Sequence, residues 1–111
     1  MTITITSIRL RSLWTFFQLS WLGLKISIQA KKSRGFIKMK NTGFGYMHYT
    51  VTAWKEVESM KEFMKSGAHA EAMKISAEIA TEIGNYTYQS EVLPSWKEAK
   101  ELMNKGTFHN F

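Results

Sequence analysis

The sequence of 111 residues contains no cysteine and no aspartate, and Pro94 is its only proline. Without cysteine the chain has no disulfide, no thiolate nucleophile and no cysteine-ligated zinc or iron–sulfur site. Any carboxylate chemistry must therefore use one of its nine glutamates. These absences exclude several classes of enzyme and metal site before any motif is considered.

Acidic residues are also missing from one half of the chain. Residues 1–55 carry nine lysines and arginines and no acid, whereas residues 56–111 carry six lysines and nine glutamates. Such a basic half can indicate a nucleic-acid or membrane partner. No aromatic RNA-binding signature accompanies it, so we do not expect a nucleic-acid partner. We interpret the basic residues as a solvated surface, with Lys31, Lys32 and Arg34 complementing the negative end of a helix.

The most apolar stretch follows two arginines and resembles a signal peptide only superficially. Leu13–Leu24 spans 12 residues before Lys25 interrupts it, and a bilayer span needs roughly 20. On a helical wheel Gln18, Lys25, Gln29 and Lys32 share one narrow stripe, with apolar residues nearly all round otherwise. We therefore predict a helix that is buried except for this solvent-exposed stripe. We also predict no membrane association and a cytoplasmic location.

Hydrophobic periodicity predicts one α+β domain over residues 1–111, with the element order β-α-β-β-α-β and an extra C-terminal helix. This is the ferredoxin-like order. The predicted strands span residues 2–10, 36–41, 46–54 and 86–92, and the predicted helices span 13–32, 55–65 and 66–83, with Ser66 as an N-cap and Gly84 as the helix end. A Ser95-x-x-Glu98 capping box begins the last helix, and residues 104–111 have no clear period, which predicts an irregular tail.

Helices on one face of such a sheet leave the other face bare. The alternation of residues in the strands makes that second face apolar, and an apolar face of this size needs a cover. The simplest cover is the sheet of a second copy, so we predict an antiparallel sheet that pairs into a homodimer.

One long string carries a family resemblance. The residues "FGYMHYTVTAWKEVESMKEFMKSGAHAEAM", followed by "LPSWKEA", resemble the dimeric α/β-barrel superfamily, and in particular its monooxygenase-like members near spheroidene monooxygenase and the antibiotic biosynthesis monooxygenase type. The opening "ITSIRLRS", the apolar helix and "SRGF" also fit that pattern. The resemblance implies a ferredoxin-like dimer. The superfamily includes oxygenases, isomerases, peroxidases and members with no known activity, so the fold alone does not fix the reaction.

The same resemblance bears on haem. Haem-degrading members carry a Trp three residues before the helix Ser and an axial His seven residues after it. Aligned on Ser66, these positions are Phe63 and Met73 here. The resemblance therefore disfavours haem degradation by that mechanism, and no cofactor is evident from the sequence.

His69 is the candidate catalytic residue. On the helix that begins at Ser66 it shares a face with the small and apolar residues Ala72, Met73 and Ser76. The helix N-terminus and burial both disfavour protonation there. A neutral imidazole can act as a general base or as a polar anchor in a ligand pocket. The alternative is an interior histidine hydrogen-bonded to a backbone carbonyl or a tyrosine hydroxyl.

An aromatic and thioether-rich interior favours an apolar pocket between helices and sheet, suited to a small apolar or aromatic ligand. Besides His69, the residues expected to line it are His48, Tyr49, Trp54, Phe63, Met73 and Tyr86. Two separated histidines without Cys or Asp give no metal-ligand spacing. The predicted function is a monooxygenase-like activity on a small molecule, with substrates that activate oxygen themselves. The alternative is a non-catalytic ligand-binding or structural dimer.

Overall fold

A computed structural model describes residues 1–65 and 67–111, except for the side chains of residues 44, 68, 69, 71 and 72. Its strands are β1 (Thr2–Leu10), β2 (Phe36–Phe44), β3 (Met47–Trp54), β4 (Ala80–Gln89) and β5 (Thr107–Asn110). Its helices are α1 (Thr15–Lys32), α2 (Val57–Met64), α3 (Gly67–Lys74), α4 (Ser76–Ile79) and α5 (Trp96–Leu102). The predicted α+β, ferredoxin-like order is confirmed.

All pairs in the five-stranded sheet are antiparallel, in the order β2-β3-β1-β4-β5. A short turn through Gly45, at φ +62°, joins β2 to β3. The predicted turn was longer, because Gly43 lies within β2, opposite His48. The two crossover connections, through α1 and through α2 to α4, place those helices on one face of the sheet.

The alternation in β1 distributes its residues between the two faces. Ile3 and Ile5 have no exposed surface and belong to a core that includes Ala99 and Met103 at the C-terminal helix. Thr4 and Thr6 point the other way, toward α1 and α2. Because the side-chain period of a strand is two, one run of alternating Thr and Ile residues specifies both faces.

Helix α5 covers the face that we predicted to be bare. It begins at Ser95, whose hydroxyl accepts from the Glu98 N–H at 3.2 Å, and the Glu98 carboxylate accepts from the Ser95 N–H at 3.3 Å. This predicted capping box is confirmed. Ile3, Ile5, Val51 and Ala53 are fully buried within one chain beneath this region. The apolar alternation that we attributed to a partner's sheet is therefore accounted for by the chain's own helix.

The predicted helix over residues 66–83 is too long. Helix α3 ends at Lys74, the short α4 ends at Ile79, and residues 80–83 already belong to β4. Ala80 pairs with Leu10, and the Arg11 side chain donates to the carbonyls of Ala77 and Ala80 at 2.9 and 3.2 Å. These contacts with the end of β1 favour strand over helix at residue 80. The predicted N-cap at Ser66 lies outside the described residues.

The prediction of an irregular tail over 104–111 is also wrong, because Thr107–Asn110 forms the edge strand β5. It pairs with the first half of β4, and Phe108 lies opposite Gly84. A Cβ at residue 84 would come within 2.5 Å of the Phe108 ring. Gly84, which we predicted to end a helix, therefore permits the close approach of β5.

Helix α1 is less buried than we predicted. Leu22 and Ala30 are its buried residues, whereas Trp14, Phe17 and Trp21 are 80%, 68% and 61% exposed. Gln29, placed on the predicted solvent-exposed stripe, instead donates from Nε2 to the carbonyl of Phe63 at 3.3 Å. With apolar residues nearly all round, periodicity could not specify which side of this helix faces the sheet. The basic residues Lys31 and Lys32 do lie in its last turn, as predicted.

Candidate functional site

A cavity of about 240 Å³ lies between the sheet and the helices α1 to α4. Its floor consists of side chains from the strands that point away from α5. The polar ones are Thr4, Thr6, Thr50, Thr52, Thr87, Asn41 and Asn85, and the apolar ones include Ile8, Met39 and Ile83. The floor therefore combines polar and apolar side chains and carries no charge.

The floor hydroxyls mainly bond to one another and to neighbouring groups. Thr4 Oγ1 donates to the Met60 sulfur at 2.7 Å and lies 3.0 Å from Thr87 Oγ1, with which it shares a hydrogen bond. Thr50 Oγ1 donates to Asn41 Oδ1 at 2.8 Å. These bonds fix the threonine rotamers and turn most of the floor into a preformed surface.

The walls and roof of the cavity come from the helices and are mainly apolar, with Ser27 and Ser76 as their polar residues. They are formed by Leu19, Leu22 and Ile26 of α1, Met60, Phe63 and Met64 of α2, Met73 of α3 and Ile79 of α4. Gly23 of α1 also lines the cavity, and apart from the adjacent helix backbone no atom of the described residues lies within 4 Å of the position that its Cβ would occupy. A ligand here would bury carbon against the helices and meet oxygen and nitrogen atoms on the sheet.

Trp54, the last residue of β3, lies at one end of this cavity. It is fully buried, and its ring packs on Phe63 and Phe36 with centroid separations of 5.0 and 5.7 Å. Its Nε1–H has no hydrogen-bond partner within the described part of the chain. Buried donors are nearly always paired in native proteins. Trp54 lines the cavity, and its indole nitrogen is a fully buried donor left without a partner within the described residues.

The structure places the predicted pocket residues in three different locations. Trp54, Phe63 and Met73 line the cavity. His48 lines a neighbouring cavity of about 490 Å³ between α1 and the β2–β3 hairpin, which shares Ile8, Leu19 and Gly23 with the first. The His48 Nε2–H donates to the carbonyl of Gly45 at 3.0 Å, and its ring lies 5.4 Å from that of Phe16. His48 is therefore a hairpin residue with its own hydrogen-bond partner.

Tyr49 and Tyr86 are not among the described residues that line the first cavity. Tyr86 stacks on Tyr88 at 5.5 Å, and both pack with Tyr49 against the core beneath α5. Tyr49 borders the neighbouring cavity, but its ring lies 5.3 Å from Lys100 Nζ of α5. Parity decides this: Tyr49 shares a face with Val51 rather than with Thr50, and Tyr86 pairs with the inward-facing Ile5.

His69 lies in α3, between Gly67 and Met73, but its side chain lies outside the described residues. Its predicted role as a base or pocket anchor is therefore not tested by the geometry. Its neighbours in sequence are informative, because Met73 and Ser76 both line the cavity. Helix α3 thus borders the site that the histidine was predicted to serve.

No charged or titratable side chain occurs among the described residues that line the cavity. Tyr88, on the opposite face of the sheet, has a raised pKa. Burial is the main cause, and Glu98 and Tyr86 raise this pKa further. No group of three or more His, Glu or similar ligands suited to a metal ion occurs in residues 1–65 and 67–111, within the side chains described. In the same residues no helix is both long and apolar enough to cross a membrane.

Sequence reasoning missed the threonine floor. The sequence nevertheless contains a signal for it, because two strands carry threonines at alternate positions, which are Thr4 and Thr6 in β1 and Thr50 and Thr52 in β3. Strand β4 adds Thr87. We interpreted those threonines only as residues with high strand propensity. A shared face of hydroxyls on three neighbouring strands indicates a polar surface that has to be buried or bound.

Comparison with known proteins shows similarity in structure rather than in sequence. No family model matches the chain, and no curated protein matches it. A protein from Deinococcus radiodurans, provisionally assigned as an antibiotic biosynthesis monooxygenase, superposes with a TM-score of 0.74 at 12% identity, covering 86% of this chain and 97% of its own.

Two further structures show the functional range of this fold. SnoaB, a cofactor-independent oxygenase from Streptomyces nogalater, has a TM-score of 0.68 at 7% identity, over 85% of this chain and 97% of its own. NE2512 from Nitrosomonas europaea, a protein of unknown function, has a TM-score of 0.66 at 12% identity, over 85% and 94%. The chain therefore has the ferredoxin-like fold of the antibiotic biosynthesis monooxygenase-like proteins.

Proposed function

We propose that the chain binds a small, uncharged and largely apolar molecule in the cavity and acts on it as a monooxygenase without a cofactor. The observation that carries this proposal is a cavity with mainly apolar walls and a partly polar floor, lined by Trp54, whose buried N–H has no partner among the described residues. The structural similarity to SnoaB, a cofactor-independent oxygenase, supports the reaction class. The similarity is one of fold, so the site has to support the function by its own chemistry.

The lining selects the class of ligand. Apolar walls favour a carbon skeleton, and burying each methylene-sized group contributes about 0.8 kcal/mol. A charged ligand would lose its hydration without gaining a counter-ion from the described lining residues, which makes its entry costly. The Trp54 N–H can only donate. The favoured ligand is therefore neutral and carries an acceptor oxygen, as in a phenol, an enol or a ketone.

The reaction follows from the properties of such a molecule. An electron-rich phenol, once deprotonated, can itself give electrons to O₂. One oxygen atom then forms a new carbonyl on the ring, and the other leaves as water with the two hydrogens that the phenol loses. The chain has to exclude water, orient the phenol oxygen and accept its proton. Trp54 is proposed to orient the oxygen, and His69 remains the proposed base.

Substituting Trp54 by Phe tests the proposal, because the change keeps an aromatic ring and removes the N–H. With 1-naphthol as the probe, we expect Trp54→Phe to weaken binding measured by calorimetry about tenfold, the effect of losing one hydrogen bond to a buried donor. Trp96→Phe, on the opposite face of the sheet, is the matched control and should bind as the parent does. Equal affinities for the parent and Trp54→Phe would remove the indole N–H from the site.

A second candidate function is non-catalytic binding of the same class of ligand. It is favoured by the absence of any titratable side chain among the described lining residues, because proton transfer needs one. Oxygen uptake separates the two functions. Consumption of O₂ with 1-naphthol, lost in His69→Ala, supports the oxygenase, whereas tight binding without O₂ uptake supports the binder.

The homodimer and the cytoplasmic location stay predictions. Sedimentation velocity of the purified chain measures the oligomeric state.

A further inference from the structure

The outer side of α1 is an exposed apolar surface. We define the α1 stripe as the five residues Trp14, Phe17, Trp21, Leu24 and Ile28, which recur at intervals of three and four and lie on the side of the helix away from the buried Leu22 and Ala30. Trp14 is 80% exposed, and Ile28, the least exposed of the five, is still 48% exposed. At about 1.5 Å per residue the stripe is about 21 Å long. Contiguous apolar surfaces of this kind mark interaction sites.

The charges that α1 itself carries are all positive. Lys25 Nζ lies 5.5 Å from the Trp21 ring centroid, and the exposed Lys31 and Lys32 occupy the last turn of the helix. Exposed Arg9 precedes the helix at the end of β1. The chain has no carboxylate before Glu56. The surface is therefore both apolar and cationic, and no acidic residue of α1 offsets that charge.

Contrary to our expectation from the sequence of no membrane association, we propose that the exposed α1 stripe binds the surface of an anionic lipid bilayer, with the helix lying in the plane of the membrane. Aromatic and leucine side chains on one face, with lysines at its borders, are the composition that inserts into the headgroup region. Exposed Trp residues suit that depth because their rings are apolar and their N–H groups can reach water. The helix lies on the bilayer rather than across it, because it is not long and apolar enough to span one.

Charge decides between the bilayer and a second copy of the chain. Two α1 stripes facing each other would bring Lys25, Lys31 and Lys32 of both copies into one interface without a single acidic residue of α1 to pair with them. Like charges placed together in an interface oppose association. An anionic bilayer instead attracts each nearby lysine, by about fivefold in affinity per residue. The stripe does not include the cavity lining, so membrane binding and ligand binding can be tested separately.

The experiment is co-sedimentation of the full chain with vesicles of phosphatidylcholine and phosphatidylserine, compared with vesicles of phosphatidylcholine alone. We expect sedimentation with the anionic vesicles, a blue shift of tryptophan fluorescence and loss of binding at high salt. Phe17→Ser and Trp21→Ser should each weaken binding at least tenfold, because each removes a ring that would insert into lipid. Both residues are exposed, so folding should be preserved and circular dichroism can verify it.

Two matched variants complete the design. Val92→Ser removes an exposed apolar side chain in the loop before α5, where Val92 is 70% exposed, and should bind vesicles as the parent does. Lys25→Gln combined with Lys32→Gln should weaken binding to the phosphatidylserine vesicles about 25-fold. The proposal is wrong if the parent stays in the supernatant with both vesicle types. It is equally wrong if Trp21→Ser only disrupts a dimer in solution, or if the lysines serve RNA binding that Trp21→Ser leaves intact.

Discussion

The two faces of the sheet are made from alternate residues of the same strands, but they differ in how they are filled. On the α5 face Ile3, Ile5, Val51 and Ala53 are fully buried. On the opposite face the intervening threonines line a cavity of about 240 Å³ beneath α1 to α4. Gly23 of α1, which has no side chain, also lines that cavity. The comparison teaches that one face provides stability and the other provides a site.

The largest expected difference between the faces is in the cost of removing a side chain. Ile5→Ala on the closed face should lower the free energy of unfolding by about 2–5 kcal/mol, because it leaves a cavity in a packed core. Thr4→Ala on the open face should cost only about 1 kcal/mol, the value of its hydrogen bonds to Met60 and Thr87. Urea unfolding of both variants measures the two costs. Equal costs would contradict the division into a packed face and an open one.

A smaller effect of opposite sign is expected at Gly23. Apart from the adjacent helix backbone, no atom of the described residues lies within 4 Å of its missing Cβ, so alanine can be added without displacing a neighbour. Gly23→Ala should raise the free energy of unfolding by about 0.5–1 kcal/mol, because glycine is unfavourable in a helix interior. The thermal midpoint measures this gain. Gly43→Ala is the contrasting variant and should lower stability, since its Cβ would meet the His48 ring. If Gly23→Ala also lowered stability, the space beside Gly23 would be filled, contrary to the structure.

The smallest effect concerns pH and the closed face. Burial, then Glu98 and Tyr86, raise the pKa of Tyr88 above its ordinary value of 10.0. Above that pH the unfolded chain loses the tyrosine proton before the folded chain does, so the unfolded state binds fewer protons and stability falls as pH rises. We expect Tyr88→Phe to make this alkaline decline shallower in urea titrations above about pH 10. The exposed Tyr46, changed to Phe, is the control, and identical declines in all three proteins would refute the effect.

Much of the fold could be predicted because local and tertiary preferences agree. The Thr/Ile alternation of β1, the Ser95–Glu98 capping box and the glycine at the β2–β3 turn each specify one conformation at short range. The position at which the α3–α4 helical region ends could not be predicted from local sequence. Residues 80–83 continue a helical pattern, and only the pairing of Ala80 with Leu10 converts them to strand. Long-range pairing of this kind overrides local propensity.

The site was less predictable than the fold. Trp54, Phe63 and Met73 line the cavity, but Tyr49 and Tyr86 lie on the other face, because a shift of one residue along a strand exchanges the faces. A strand with large residues on both sides gives no local sign of which side faces the helices. The threonine floor needed three strands to be placed side by side before its shared face could be recognised.

The sequence by itself determined the order of the first four strands, the absence of cysteine chemistry and the concentration of positive charge before Glu56. These are properties of composition and local periodicity, which act over a few residues. Only the tertiary structure decided that α5 covers the second face and that α1 turns Trp14, Phe17 and Trp21 outward. It also decided that the Trp54 N–H has no partner within the part of the chain that is described. Each depends on which surfaces meet across the fold. A helix such as α1, which is apolar nearly all round, can pack against the sheet with any of several sides, so its sequence does not specify which side is buried.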